Sequence, residues 1–231
     1  MTVAIDQMQR RLWREMVSEK GALRAPSTVI ESAYFATPRH RYVSTYRTWD
    51  NPRWRAGDLG EVYSDNSLIL VGDENAGAIS SASQPSFILS LVDSLDIRPG
   101  HRILEIGSGC GWLVAIMAHL AGPDGRVYGV EILPELVRQS RQNLAEIRTA
   151  TIHCADGRDG FPPSAPYDRI ISTAAMPTIP PALLDQTAPG ARLLLPIATG
   201  EATRCNVVLY ERVSGGLAVI KAQDGYFVPL A

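Results

Sequence analysis

Three carboxylates and a run of glycines are the part of this sequence most able to do chemistry. The run is Leu104-Glu105-Ile106-Gly107-Ser108-Gly109-Cys110-Gly111-Trp112. Its glycines permit a tight turn and let a ligand approach the backbone. A dinucleotide site more typically reads Gly-x-Gly-x-x-Gly, with pyrophosphate on a helix N-terminus. Here the pattern is Gly-x-Gly-x-Gly, with Glu105 two residues before the first glycine. A carboxylate there is awkward beside pyrophosphate and well suited to the ammonium of an amino-acid moiety. Glu131, in Tyr128-Gly129-Val130-Glu131, can accept both hydroxyls of an unphosphorylated ribose. Asp156, in Cys154-Ala155-Asp156-Gly157, offers a short acceptor to an adenine amino group. Each acid alone would pass for a solvated strand end. In series, a ribose, an adenine and an amino acid on one ligand mean S-adenosylmethionine. For the loop alone, a tight turn without ligand and an NAD-type nucleotide stay open.

The acids converge only if strands carry them to one edge. Arg102–Ile106, Arg126–Val130, Thr151–Cys154, Arg169–Ser172 and Arg192–Pro196 are apolar runs of strand length. Gly111–Ala121, Pro134–Ile147 and Pro180–Thr187 read as the helices between them. Such alternation predicts parallel pairing with crossover helices on both faces, and ligands at the carboxyl ends of the strands. Asn206–Tyr210, Leu217–Ile220 and Tyr226–Val228, with a turn at Ser214-Gly215-Gly216, predict an antiparallel ending. The fold class is therefore α/β: a doubly wound, mostly parallel Rossmann-like sheet with an antiparallel C-terminal edge. Residues 81–231 would form this domain and residues 1–80 a helical and irregular N-terminal extension. Val3–Val17 has amphipathic spacing, and Thr28 with Glu31 makes a capping box for a second helix ending near Pro38. Residues 39–75 read as irregular, and Ser86–Leu95 resumes helical spacing. The extension reads as a layer over the sheet.

The chain has 231 residues, 45% hydrophobic and 20% charged, enough for one sizeable core without staples. A net charge of −2 disfavours a general nucleic-acid coat or a polybasic membrane binder. No apolar run reaches the roughly 18–20 residues that span a bilayer. The N-terminus has no apolar signal-peptide core, and Cys110, Cys154 and Cys205 show no disulfide or metal-ligand spacing. The expectation is a cytoplasmic monomer without metal, nucleic acid or membrane as partner. Residues 39–55 stand apart: five arginines (39, 41, 47, 53, 55) against Asp50 give +4, leaving −6 elsewhere. Interleaved with Tyr42, Tyr46, Trp49 and Trp54, they could serve single-stranded nucleic acid, an exposed face, or a lid and peptide-carboxylate site. His153 and Cys154 read as core, His40 and His101 as partnerless, and Trp112 as core packing rather than adenine stacking.

The glycine loop resembles motif I of class I methyltransferases. More narrowly, the chain resembles the protein-L-isoaspartate O-methyltransferases over roughly residues 25 to 230. The resemblance rests on Ser83-Gln84-Pro85, Ala155-Asp156-Gly157, Ala165-Pro166-Tyr167-Asp168-Arg169-Ile170-Ile171, Thr173-Ala174-Ala175-Met176-Pro177, Pro189-Gly190-Ala191-Arg192-Leu193 and Phe227-Val228-Pro229-Leu230. It implies a carboxyl methyltransferase acting on isoaspartyl or aspartyl residues of a peptide or protein, whose ester collapses to a succinimide during repair. It implies Ser83 as the active-site residue, between cofactor and substrate carboxylate. From the residues alone, the Ser83 hydroxyl reads first as a cap for the helix beginning at Pro85, and the resemblance reverses that order. The implied cofactor set is Ala82, Ser83, Gln84, Glu105, Gly107, Gly109, Gly111, Glu131, Ile132, Asp156 and Gly157. The implied substrate side is Ser81, Thr173, Ala174, Ala175, Val228 and Leu230.

The approach to Ser83 departs from the family pattern. Asp73-Glu74-Asn75-Ala76 and the serine cluster Ser80-Ser81-Ala82-Ser83 stand where the family usually has a glycine-rich turn and the Thr-Ile-Ser that precedes x-Pro. This resembles relatives that methylate an aspartate in ribosomally made peptides, although those often carry a C-terminal extension beyond the point where this chain stops. That activity is the second reading, and a non-catalytic S-adenosylmethionine-binding module the third. Methyl transfer to a carboxylate needs no general base, because the nucleophile is ionised at neutral pH.

Overall fold

Gln9, Leu12, Trp13 and Met16, spaced for one helical face, are the buried residues of the first helix in the computed structural model. The structure describes residues 2–73, 77–201 and 203–230. The chain divides into two compact units, Met1–Ser94 and Leu95–Ala231, so the Ser83-Gln84-Pro85 helix start belongs to the first.

In the first unit, α1 (Thr2–Val17) packs on α2 (Thr28–Ala36). The Trp13 ring stacks on Tyr34 at 5.2 Å between centroids. The Gln9 side-chain amide donates to the Tyr34 carbonyl, and the Tyr34 hydroxyl donates to the Gln9 carbonyl. The expected capping box does not form. Thr28 is already helical, and Ser27 stands at the N-cap with its hydroxyl donated to Asp93.

The segment expected to be irregular is instead an antiparallel sheet. It contains β1 (Thr45–Thr48), β2 (Asn51–Ala56), the short α3 (Leu59–Val62), β3 (Leu68–Asp73) and β4 (Gly77–Ala82), with strand order β2-β1-β3-β4. The strands are short, and the pairing is bulged between Tyr46 and Thr48 and on both sides of Val71. No clean alternation of apolar and polar residues survives in the sequence. The helix expected over Ser86–Leu95 is α4 (Pro85–Ser94). Glu74, Asn75 and Ala76, the acidic approach, lie outside the described residues.

Two of the five arginines of the basic segment are not on a surface. Arg39 is fully buried and Arg47 is 8% exposed, while Arg55 pairs with Glu61. The +4 charge therefore does not form one face. His40 has a partner as well, its Nδ1 lying 2.7 Å from the Tyr63 hydroxyl.

The second unit alternates β5 (Arg102–Ile106), α5 (Trp112–Ala121), β6 (Arg126–Glu131), α6 (Pro134–Asn143), β7 (Ala150–Cys154), β8 (Tyr167–Ser172), α7 (Pro181–Asp185) and β9 (Thr187–Ala198). The hairpin β10 (Arg204–Val213) and β11 (Gly216–Tyr226) completes it. The sheet order is β11-β10-β9-β8-β5-β6-β7. Strands β7, β6, β5, β8 and β9 run parallel, and β10 and β11 alternate in direction. This is the doubly wound, mostly parallel sheet with an antiparallel edge. Successive strands leave β5 first on one side and then on the other, so the topological switch lies beside its carboxyl end. The core gathers Leu104, Ile106, Val130, Ile170, Leu193 and Leu195 from adjacent strands.

Trp112 is 3% exposed and belongs to the packing of α5, as expected. His153 and Cys154 are not core: β7 is the edge strand, which leaves Cys154 exposed and His153 half-buried against the Phe161 ring at 3.8 Å. His101 accepts a hydrogen bond from the Arg98 amide. Residues after Tyr226 do not continue the hairpin. Pro229 instead forms a parallel bridge with Ala175.

Candidate functional site

The loop after β5 is built by three glycines with positive φ: Gly107 (79°), Gly109 (50°) and Gly111 (82°). An L side chain there would be strained, and a Cβ at Gly107 or Gly111 would also crowd its surroundings. At Gly107 it would sit 3.1 Å from the Thr173 hydroxyl oxygen, and at Gly111 3.1 Å from Leu144 Cδ1. The turn is tied to β6, because the amides of Gly107 and Ser108 both donate to the Val130 carbonyl. Gly111 then starts α5.

Glu131, 5% exposed, ends β6 and holds this loop with its side chain. One carboxylate oxygen accepts from the Gly109 amide at 2.8 Å, the other from the Leu133 amide at 3.0 Å. A carboxylate has about four lone-pair sites, so two remain for a pair of vicinal hydroxyls. Ile132, 42% exposed, follows it at the strand end.

Glu105 is the opposite case. It is 1% exposed, and its Oε2 has no hydrogen-bond partner among the described residues. Burial, with a smaller contribution from the charge of Glu131, pushes its carboxyl well above the usual range. The Ser108 hydroxyl is likewise buried without a partner. It lies beside Gly129, where a Cβ would come within 3.0 Å of Ser108 Oγ. Two orphaned polar groups beside a glycine loop fit a ligand bearing an ammonium and hydrogen-bonding groups. Ser108 and Gly129 were not singled out in the sequence; a serine inside Gly-x-Gly was their available signal.

Asp156 lies just past β7, as its position predicted, but it is not a free acceptor. The Arg158 guanidinium grips both its oxygens, with Nη2 to Oδ2 at 2.6 Å, and the Arg158 amide donates to Oδ1. These bonds hold the Asp156 carboxyl below its ordinary range. Arg158 is a third residue the sequence reading missed. Gly157 permits close packing, since a Cβ there would lie 2.4 Å from Ile106 Cγ2 and 3.1 Å from Leu230 Cδ1.

The substrate-side residues of this unit are brought together. The Thr173 amide donates to the Ile106 carbonyl, and the Thr173 hydroxyl donates to the Gly107 carbonyl at 2.6 Å. The Ala175 amide donates to the Val228 carbonyl, and the Leu230 amide to the Ala175 carbonyl. Ala174 is fixed by the Ser172 hydroxyl, which donates to its carbonyl.

Ser81, Ala82, Ser83 and Gln84 belong to the first unit, at the end of β4 and the start of α4. Ser83 does not cap this helix. Asp65 does, accepting from the Ser86 amide at 2.8 Å and from the Ser86 hydroxyl and Gln84 amide side chain. The partly exposed Ser83 hydroxyl makes no hydrogen bond among the described residues, while its carbonyl accepts from Arg39.

The profile of the protein-L-isoaspartate(D-aspartate) O-methyltransferase family matches residues 20–231. The protein-L-isoaspartate O-methyltransferase of Methanopyrus kandleri is 35% identical over 208 residues, covering 88% of this chain and 84% of that protein. The protein of that name from Hyperthermus butylicus is 33% identical over 232 residues, covering 96% of this chain and 88% of its own. A solved protein-L-isoaspartate O-methyltransferase shares the fold, with a TM-score of 0.79 at 24% identity over 98% of this chain and 66% of that one. A putative protein-L-isoaspartate O-methyltransferase from Plasmodium falciparum, solved with S-adenosyl-L-homocysteine, shares it at a TM-score of 0.71 and 19% identity over 97% of each.

Glu105 sets a pH dependence. Below the ordinary carboxylate range it is protonated in folded and unfolded chains alike. As pH rises, the unfolded chain ionises first while the folded one keeps its proton, so stability falls until the folded group also ionises. Glu105→Gln therefore raises Tm of the ligand-free protein by about 2–4 °C at pH 8, and not at pH 4. A melt unchanged at pH 8 would count against the buried, protonated carboxyl. Gly157→Ala is expected to cost about 1–3 kcal/mol in urea unfolding, because Ile106 and Leu230 must both give way.

Proposed function

The chain belongs to the protein-L-isoaspartate O-methyltransferase family, and on that premise we propose how its residues carry out S-adenosylmethionine-dependent methylation of isoaspartyl or aspartyl carboxylates in a peptide or protein. The observation that carries this assignment of roles is the buried, unpartnered Glu105 carboxyl beside a glycine loop gripped by Glu131. When bound, S-adenosylmethionine supplies a methyl group on a positively charged sulfur, open to displacement by an oxygen nucleophile.

Glu105 takes the ammonium of the amino-acid half, which turns an unfavourable buried carboxyl into half of an ion pair. Glu131 uses its two remaining lone-pair sites for the ribose hydroxyls without releasing the loop amides. Asp156, kept ionised and oriented by Arg158, accepts from the adenine amino group, beside Ile132 and Gly157. The glycines keep side chains out of the way. In the first unit, the Ser83 hydroxyl, with Ser81 before it, is the donor to the substrate carboxylate. In the second unit, Thr173–Ala175, Val228 and Leu230 are the residues offered to the peptide. No group need remove a proton, since the acceptor is already an anion. What the residues must do is align oxygen with methyl carbon and strip water from the carboxylate. In the ester, the neighbouring backbone nitrogen attacks the carbonyl carbon. The C–N bond forms, methanol leaves and a succinimide results, which is the chemistry of isoaspartyl repair. A cytoplasmic setting fits the lack of any disulfide among Cys110, Cys154 and Cys205.

Labelled methyl transfer to matched peptides tests the reading. Base-labile label is expected on isoaspartate, less on aspartate and none on a peptide with neither. Label confined to aspartate would turn the assignment to peptide tailoring, and none on any peptide would leave only binding. Ser83→Ala should lower kcat about 10²-fold with affinity for S-adenosylhomocysteine within twofold of the parent. An unchanged kcat would remove Ser83 from catalysis. Glu131→Ala should weaken that affinity by about 10- to 100-fold in calorimetry, the worth of one or two hydrogen bonds to a charged group.

A further inference from the structure

Arg39 contributes nothing to the roles above, yet no side chain in the first unit is more completely enclosed. It is 0% exposed. The two terminal nitrogens of its planar guanidinium donate to five backbone carbonyls. Nη1 donates to Val62 at 3.1 Å and Ser64 at 3.3 Å; Nη2 donates to Asn66 at 3.2 Å, Ala82 at 3.3 Å and Ser83 at 3.0 Å. These carbonyls come from two stretches far apart in sequence, the turn after α3 and the end of β4. One planar group fixes the distance between them.

The first of these stretches contains Asp65. Flanked by the two carbonyls that Arg39 holds, at 64 and 66, Asp65 reaches the other side of Ser83. It accepts from the Gln84 amide side chain at 3.0 Å, the Ser86 amide at 2.8 Å and the Ser86 hydroxyl at 2.7 Å. Arg39 thus grips the backbone at 82 and 83, and Asp65 grips the Gln84 side chain and the amide and hydroxyl of Ser86. The residue they enclose is Ser83, whose hydroxyl makes no hydrogen bond among the described residues. With its carbonyl held by Arg39 and the helix cap supplied by Asp65, Ser83 has no local use for its oxygen.

We propose that Arg39 and Asp65 form a bracket that positions Ser83 for the acceptor carboxylate, with Arg39 as the principal positioning residue. The inference rests on the assignment of Ser83 as the residue that donates to the acceptor. The bracket acts through where it puts that hydroxyl. Its contribution should therefore appear in kcat more than in KM, and should vanish when the hydroxyl is gone.

The experiment is a double-mutant cycle on the full chain, with an isoaspartyl peptide as substrate and folding monitored by thermal melts. Arg39→Lys keeps the charge but replaces the planar fork with a compact ammonium. It is expected to lower kcat about tenfold with KM within twofold, and to change kcat less than twofold in the Ser83→Ala background. Asp65→Asn keeps one acceptor for the helix cap and provides the second arm if Arg39→Lys fails to fold. It should lower kcat about threefold, again only while Ser83 is present. Equal loss from either substitution in both backgrounds, or an unchanged kcat in a folded variant, overturns the bracket. If instead Ser83→Ala alone leaves kcat unchanged, it is the role of Ser83 that fails.

Discussion

A buried carboxyl group needs N–H groups or a cation in place of the water it lost, and the ligand edge of the sheet is organised by that requirement. Glu131 meets it with two backbone amides, one from its own turn and one from the glycine loop. The loop in turn has the shape that presents the Gly109 amide, which is why its glycines occupy backbone conformations that other residues avoid. Glu105, on the next strand, lacks such donors at Oε2. The two acids therefore divide the work: one is satisfied by the chain and builds the loop, the other is completed by what the loop binds.

The first unit solves the mirror-image problem. A buried guanidinium needs oxygen atoms, and Arg39 draws them from carbonyls that the short strands and the turn after α3 leave available. Strands of four to six residues with bulged pairing make few ladder bonds, so a side chain that collects five carbonyls supplies order that the sheet cannot. The charge is thereby spent on architecture. An arginine-rich, aromatic-rich stretch that looks from composition like a binding surface is partly the frame of the unit.

What was legible in the sequence follows from how local each signal is. Parallel strands buried on both faces are rich in Ile, Val and Leu, so β5 could be placed residue by residue and β6 and β8 to within two residues, with the glycine loop and the acids at the strand ends. The four-stranded sheet of residues 45–82 could not, because its bulges shift the register every few residues. Burial of Arg39 and the Asp65 cap were also invisible, being contacts between residues about 20 or more positions apart. At Ser83 the local rule misled: a serine before a proline-led helix is a cap by type, and Asp65 displaces it from that duty. The errors at His153 and Cys154 arose because strand order, not strand composition, decides which strand lies at an edge.

The hydroxyl of Thr173 has a consequence for how the two sides of the second unit behave. It closes a short hydrogen bond to the Gly107 carbonyl, and the Thr173 amide closes another to Ile106. The segment expected to face the peptide is thus stitched to the loop expected to face the cofactor. If one ligand changes the affinity for the other, the change has the same size in both directions by thermodynamic necessity. Order of addition then matters for rates but not for the final affinity of the pair.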